Sequence, residues 1–148
     1  MKKEIAIVAL GELLIDFTEA GISKNGMKLF EQNPGGAPAN LLTVASHMGY
    51  RTSFIGKIGT DMHGDFLKKT LQNEGIDTGA LVEDERYFTT LAFVEIDENG
   101  ERNFSFARKP GADTSMGYGK YQRLVWEVPM FGTSDTNVWY NGYQHRVR

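Results

Sequence analysis

Residues 5–17 read IAIVALGELLIDF, and this stretch decides the fold. Its first six residues are apolar without a polar face, which is typical of a strand buried on both sides in a parallel sheet. After a Gly-Glu interruption a second strand pattern begins, and its two-residue repeat puts Asp16 on the face opposite to Ile15 and Phe17. We therefore expect the Asp16 carboxylate to have a defined role, either at a binding site or as a structural acid that caps a nearby helix.

Outward from this stretch, helix and strand patterns alternate. Residues 34–40, PGGAPAN, predict a turn that leads into a helix, because Pro38 suits a first helical turn. Residues 52–58 predict a second short strand, after which Thr60 or Asp61 can cap another helix. The alternation of strand and helix predicts an α/β layer fold.

Residues 89–108 behave differently and predict a β-hairpin. Two strand-like runs are joined by Asn99-Gly100, which is a strong hairpin signal. With a two-residue loop, Phe93 lies opposite Phe106, and one face of the hairpin gathers Leu91, Phe93, Phe104 and Phe106. A lone hairpin is marginal in water, so we expect this face to cover the main domain, another subunit or a ligand.

Composition narrows the class of protein. The 148 residues suffice for one domain with a hydrophobic core, and the net charge of −3 without a basic patch argues against a nucleic-acid partner. The absence of cysteine excludes disulfides and Cys-based zinc sites, and the three histidines share no metal-site spacing. No stretch is long enough to span a bilayer and no signal peptide is recognisable, so we expect a cytoplasmic protein without a membrane partner.

The last part of the chain loses these patterns. Residues 115–148 show neither a helical nor a strand repeat, and their glycines and aromatic residues are scattered. We predict a poorly ordered tail there.

Four motifs in this order resemble those of the pfkB (ribokinase-like) carbohydrate kinases, and of the fructokinases in particular. The similarity extends over residues 5–114. Leu42 departs from the family's amino-terminal signature, in which a small residue is usual at this position. The motifs are GELLIDF at residues 11–17, NPGGAPAN at 33–40, FIGKIGTD at 54–61 and FARKPGAD at 106–113.

The resemblance implies a three-layer α/β domain with a small β-sheet lid at about residues 89–108. It also implies that a sugar, most simply fructose, binds between lid and domain, that ATP and Mg²⁺ bind the carboxyl-terminal half, and that the lid sheet can form a homodimer. The positions that match the family's sugar-binding residues are Asp16 as hydroxyl acceptor, Gly35 and Gly36 as close backbone, Asn40 as a polar contact, and Phe104, Phe106 and Arg108 in the lid.

Each of these positions also has a purely structural interpretation. The Gly35-Gly36 pair could be a plain turn, Asn40 a solvent-facing or capping residue, and the phenylalanines part of a core. The chemistry nevertheless suits a sugar. A carboxylate accepts two hydroxyls, paired glycines let backbone approach a ligand, and an apolar lid excludes water that would compete as phosphoryl acceptor.

The family's catalytic Gly-Ala-Gly-Asp turn, which holds the transferring phosphate and supplies the catalytic Asp, does not occur in this sequence. We therefore expect residues 1–114 to be the amino-terminal half of a kinase domain, without a catalytic residue or an ATP site of its own, and the reading frame to be truncated or shifted after Thr114. Three interpretations remain open: an incomplete fructokinase-type enzyme, a non-catalytic sugar-binding or lid-dimerising module, and a product that does not fold stably.

Overall fold

The computed structural model of the protein describes residues 5–116, 130–133 and 136–141, which form two sheets and two α-helices. In chain order the elements are β1 (Ile7–Leu10), β2 (Leu14–Ile22), β3 (Lys28–Gly35), α1 (Ala37–His47), β4 (Thr52–Gly59), α2 (Met62–Asn73), β5 (Asp77–Asp84), β6 (Leu91–Ile96), β7 (Arg102–Ala107), a 3₁₀ turn (Asp113–Ser115), β8 (Met130–Thr133) and β9 (Thr136–Asn141).

The larger sheet is the core of the α/β fold and has the strand order β5-β4-β1-β9-β8. Strand β4 pairs in parallel with both β1 and β5, whereas β9 joins β1 in antiparallel orientation. Every residue of β4 is buried, as expected of a central strand covered on both faces. The main core cluster joins this sheet to both helices and to β2 through Ala9, Leu13, Ile15, Ala39, Leu42, Phe54, Ile58, Leu67, Leu71, Ile76 and Leu81.

The observed fold confirms the α/β class predicted from the sequence. Leu42, which departs from the family signature, is fully buried in the core cluster. On the other side of the sheet Lys57 Nζ donates hydrogen bonds to Asp84 at 2.9 Å and to the Ser115 carbonyl oxygen at 2.8 Å, which ties the 3₁₀ turn to β4. Among the described helices, none has the length and apolar character needed to cross a membrane.

Asp61 begins helix α2 and also holds the segment that leads into the second sheet. Its Oδ1 accepts hydrogen bonds from the backbone amides of His63 and Gly64, each at 3.0 Å. Its Oδ2 accepts a further bond from the Thr89 amide at 2.7 Å. Of the two capping residues considered from the sequence, Asp61 is therefore the one used.

Replacing Asp61 by alanine should lower the free energy of unfolding by about 2 kcal/mol, because one N-cap and one further backbone hydrogen bond are lost. Asp65→Ala is the matched control, since Asp65 lies exposed in the first turn of the same helix. It should cost at most about 0.5 kcal/mol. Urea denaturation of both variants measures the difference, and equal losses would contradict the capping role.

The smaller sheet forms the lid and has the order β3-β2-β6-β7. Strand β2 pairs antiparallel with β3 and parallel with β6, and β6 pairs antiparallel with β7. The lid therefore contains two strands, β2 and β3, beyond the hairpin that the sequence predicted. Asp16, the candidate hydrogen-bond acceptor for sugar hydroxyls, lies on β2 and therefore belongs to the lid sheet itself.

The register of the hairpin differs by one residue from the prediction. Phe93 lies opposite Ser105 instead of Phe106, and Phe106 lies opposite Ala92. Since a slip of one residue moves side chains to the other face of a sheet, the predicted apolar face that joined Phe93 with Phe104 and Phe106 is wrong.

The cause of the slip is the loop at the tip of the hairpin. The Asp97 carboxylate accepts hydrogen bonds from the amides of Asn99 and Glu101, both at 2.9 Å. The Asp97 amide also donates to the Glu101 carbonyl oxygen at 2.9 Å. This side-chain turn closes a longer loop than Asn99-Gly100 alone would form.

Strands β8 and β9 were not predicted from the sequence. The remainder of the predicted tail at residues 115–148 lies largely outside the described residues, so its poor order stays a prediction.

Candidate functional site

One face of the lid sheet packs toward the α/β core. The Phe17 and Phe93 rings stack with centroids 5.3 Å apart, and Phe30 packs edge-on to Phe93 at 5.9 Å. His63 of α2 contacts Phe17 at 5.7 Å, and its Nδ1 lies 3.3 Å from the Gln32 side-chain amide. The two contacts of His63 therefore join the lid sheet to the first turn of α2.

The opposite face carries three of the predicted site residues, and we call it the Asp16 face. Strand pairing aligns Asn33, Asp16, Ala92 and Phe106 in one row across all four strands. The central part of this face consists of Leu14, Asp16, Thr18, Asn33, Ala92, Val94, Phe104 and Phe106.

Polar and apolar groups lie side by side on the Asp16 face. Asn33 donates to the Thr18 hydroxyl at 2.9 Å, which orients its amide beside Asp16. The Phe104 and Phe106 rings stack 6.1 Å apart and are 54% and 45% exposed. The polar Asn33 and Asp16 side chains, on the same face as exposed aromatic rings, suit a ligand that has both hydroxyl groups and carbon–hydrogen faces.

Asp16 is the central group of this face. In the described part of the chain, no donor hydrogen-bonds its carboxylate. Burial raises the pKa of the Asp16 carboxyl above its ordinary value, against an opposing attraction from Arg102. A half-buried carboxylate whose oxygens are not occupied by a neighbouring donor can accept hydrogen bonds from ligand hydroxyls.

Gly35 and Gly36 bring the turn between β3 and α1 against β2. A Cβ atom on Gly35 would collide with Asp16 Oδ2, and one on Gly36 would collide with the Glu12 carbonyl oxygen. Gly36 also has a φ of 118°, which favours glycine. Gly35 therefore makes room for the Asp16 carboxylate and Gly36 for the backbone before β2, structural roles beyond the backbone contact expected with the sugar.

Arg108 lies just after β7 at the border of the Asp16 face. Its guanidinium stacks over Phe106, 4.7 Å from the ring centroid. Its Nη1 lies 3.2 Å from Asp113 Oδ2 and 3.6 Å from Glu12 Oε2. Two carboxylates and one aromatic ring therefore hold this side chain.

Asn40 lies in the first turns of α1 and is exposed. Its backbone amide donates to the Gly36 carbonyl oxygen at 3.1 Å, whereas its side chain has no hydrogen-bond partner within the described residues. It borders an apolar surface of α1 that includes Leu41 and Val44. The predicted contact of Asn40 with a sugar stays a prediction.

With this geometry established, comparison with known proteins identifies the family. The sequence pattern of the pfkB family carbohydrate kinases matches residues 5–122. The chain belongs to the pfkB family of carbohydrate kinases. The ribokinase-like fold expected from the motifs is thereby confirmed, together with the resemblance to fructokinases.

Individual pfkB relatives are fructokinases. The chain is 44% identical over 109 residues to Fructokinase-1 of Zea mays, which covers 72% of this chain and 34% of that protein. The crystal structure of a fructokinase from Xylella fastidiosa superposes with a TM-score of 0.69 at 41% identity, over 74% of this chain and 34% of that one. The structure of the Vibrio cholerae O395 fructokinase in its fructose-, ADP- and calcium-bound form superposes with a TM-score of 0.65 at 30% identity. The superposition covers 85% of this chain and 37% of that one.

The chain spans about one third of the length of these pfkB relatives. The described residues offer no side-chain cluster that fits Mg²⁺. They contain no group of three or more His, Cys, Asp or Glu side chains able to hold a metal ion, and the Gly-Ala-Gly-Asp turn is missing from the sequence.

Reasoning from the sequence missed three polar residues on or beside the Asp16 face. Asn33 was quoted within a motif but not assigned a role, and neither Glu12 nor Asp113 was predicted at the site. Their places in the NPGGAPAN, GELLIDF and FARKPGAD motifs were the available signal. Pairing with Asp16 and Arg108 shows their position.

Proposed function

We propose that this chain forms the acceptor-sugar part of a cytoplasmic fructokinase-type enzyme. In the complete enzyme, the γ-phosphoryl group of ATP, bound with Mg²⁺, is transferred to a hydroxyl of fructose. The observation that carries the proposal is the Asp16 carboxylate, which has no described donor and lies in a row with Asn33 and Phe106. The fructose-bound relative from Vibrio cholerae supports fructose as the acceptor.

Each part of the Asp16 face has a task in this proposal. Asp16 accepts hydroxyl hydrogens and fixes the orientation of the sugar, and the Gly35 backbone leaves space beside its carboxylate. Phe104 and Phe106 cover the sugar, since apolar rings exclude the water that would otherwise accept the phosphoryl group. In this proposal the chain contributes binding and orientation of the sugar, and the rest of the enzyme supplies the groups that transfer the phosphoryl group.

Isothermal titration of the chain with fructose tests the binding step. We expect saturable binding of fructose that ATP does not change. A chimera tests the enzyme: residues 5–114 of this chain replace the matching segment of the Xylella fastidiosa fructokinase, and fructose-dependent ADP release is measured. We expect the chimera to phosphorylate fructose. A well-folded chimera without activity, together with a chain that does not bind fructose, would contradict the proposal.

The raised pKa of Asp16 predicts how fructose affinity depends on pH. The ionised carboxylate accepts the hydroxyls, so affinity is full above the raised pKa and is lost as the pH falls through it. The stability of the free chain changes with pH in the opposite direction. The folded state binds this proton more tightly, so the stability contribution is present below the unfolded pKa and is lost as the pH rises through the folded pKa.

Titration calorimetry at successive pH values measures this dependence, with Asp16→Asn as a control whose affinity should stay constant over the same range. A midpoint at or below the ordinary pKa of an Asp side chain would contradict the expected shift.

A second candidate function, a homodimer formed through the lid, is favoured by β7. This strand lies at an edge of the lid sheet and all its residues are exposed. Sedimentation velocity of the chain and of Arg102→Pro, which removes a backbone amide that points away from β6 toward the open edge, distinguishes a dimer from a monomer.

A further inference from the structure

We propose that Asp113 is a positioning residue for sugar binding, which acts by holding Arg108 against Phe106 and against the segment before β2. This inference rests on the proposed sugar site. It extends the site to Asp113 and Glu12, two carboxylates that do not belong to the Asp16 face.

The topology of the lid gives Arg108 its importance. The chain passes into or out of the lid sheet at four places, and Glu12 lies in the passage from β1 to β2. Arg108 lies in the passage that leaves β7, and Asp113 begins the 3₁₀ turn at the end of that passage. Arg108 contacts both carboxylates, at 3.6 Å and 3.2 Å, so it joins two of the four passages.

Asp113 extends the connection to a third passage. Its Oδ1 accepts a hydrogen bond from the hydroxyl of Thr90, which is fully buried just before β6. The Thr90 carbonyl oxygen in turn accepts from the Ile15 amide at 3.0 Å, next to Asp16. A Cβ atom on Gly111 would collide with Thr90 Oγ1, so a glycine is required at this position. A continuous set of contacts therefore runs from Arg108 to the backbone of β2.

Charge and burial explain why Arg108 stays paired with Asp113. The Asp113 side chain is only 2% exposed, and Arg108 is the cation beside it. A buried carboxylate that loses its cation is strongly unfavourable, so Arg108 is kept in place. The same guanidinium lies over the Phe106 ring, which shares a row with Asp16. The buried carboxylate thus sets the position of a ring at the sugar site without touching the sugar.

A double-mutant cycle in the full chain tests the proposal, with fructose affinity as the readout. Asp113→Asn keeps the size of the side chain and removes its charge, and Arg108→Met removes the cation. We expect each single variant to raise the fructose Kd about ten-fold and the double variant to raise it little further, because both remove the same connection. Glu83→Gln is the control: it breaks an exposed ion pair with Lys68 and should leave the Kd unchanged.

Unchanged Kd values in the single variants, or strictly additive losses in the double variant, would overturn the proposal. Amide hydrogen exchange gives a readout that does not need sugar. In Asp113→Asn we expect the amides of β6 and β7 to exchange about ten-fold faster while those of β4 keep their rates. If the wild-type chain binds no fructose, the proposed function fails, and equal exchange rates in the lid of both proteins would then reject the positioning role as well.

Discussion

Replacing Asp16 by asparagine is expected to raise the fructose Kd about a hundred-fold. A carboxylate accepts hydrogen bonds from two sugar hydroxyls, and a hydrogen bond to a charged group contributes about 1.5–3 kcal/mol. Asparagine retains one acceptor oxygen, while its NH₂ group cannot accept a hydroxyl hydrogen. Losing one such bond and weakening the other accounts for a change of about 2.7 kcal/mol, which is a factor of a hundred in Kd.

The stability of Asp16→Asn separates a binding role from a structural one. Because burial disfavours the ionised form of Asp16, removing the charge should leave the free energy of unfolding unchanged or slightly higher at neutral pH. Calorimetry with fructose and thermal unfolding are measured on the same samples. Asp65→Asn, on an exposed surface of α2, is the control for a lost negative charge. An unaltered Kd in Asp16→Asn would remove this residue from the sugar site.

The second large effect concerns Gly36. We expect Gly36→Ala to lower the free energy of unfolding by about 4 kcal/mol, because two costs combine. The φ of 118° is unfavourable for alanine, and the new Cβ atom collides with the Glu12 carbonyl oxygen. Relieving the collision requires the turn before α1 to move away from β2, which also separates Gly35 from the Asp16 carboxylate.

Gly21→Ala is a matched control for Gly36→Ala. Gly21 has a φ of 105°, and a Cβ atom there would meet no heavy atom within 4 Å. It should therefore show the backbone cost alone, about 1–2 kcal/mol. Urea denaturation measures the free energy of unfolding of both variants, and the difference between their losses is the effect of close packing at Gly36. Equal losses would mean that the approach of the turn to β2 contributes nothing to stability.

Local patterns in the sequence were sufficient for much of the fold. The apolar run before Gly11 predicted a doubly buried strand, and Pro38 and Asp61 marked the starts of the two helices. The two-residue repeat after Gly11 placed Asp16 on the face opposite to Phe17, as the lid register shows. These predictions succeeded because capping and strand alternation are determined by neighbours in the sequence.

The composition of the lid and its register depended on distant contacts. Strand β2 pairs with β6, which brings Ile15 beside Leu91. These two residues are far apart in the sequence, and no local signal specifies that β6 is the partner of β2. The hairpin register depended on one side chain, because the Asp97 carboxylate forms a turn that competes with the Asn99-Gly100 loop. The positions of Glu12 and Asp113 around Arg108 likewise required the folded backbone.

The loop that Asp97 closes also offers a place to attach a fluorescent dye. Gly100 at its tip has open space around it, and the Asp97 turn uses the Asn99 backbone amide but not its side chain. The chain contains no cysteine, so Asn99→Cys would create a single thiol for labelling. Because this tip is carried by the lid strands β6 and β7, a change in the anisotropy or emission of the dye as fructose is added would report a change in the lid in real time.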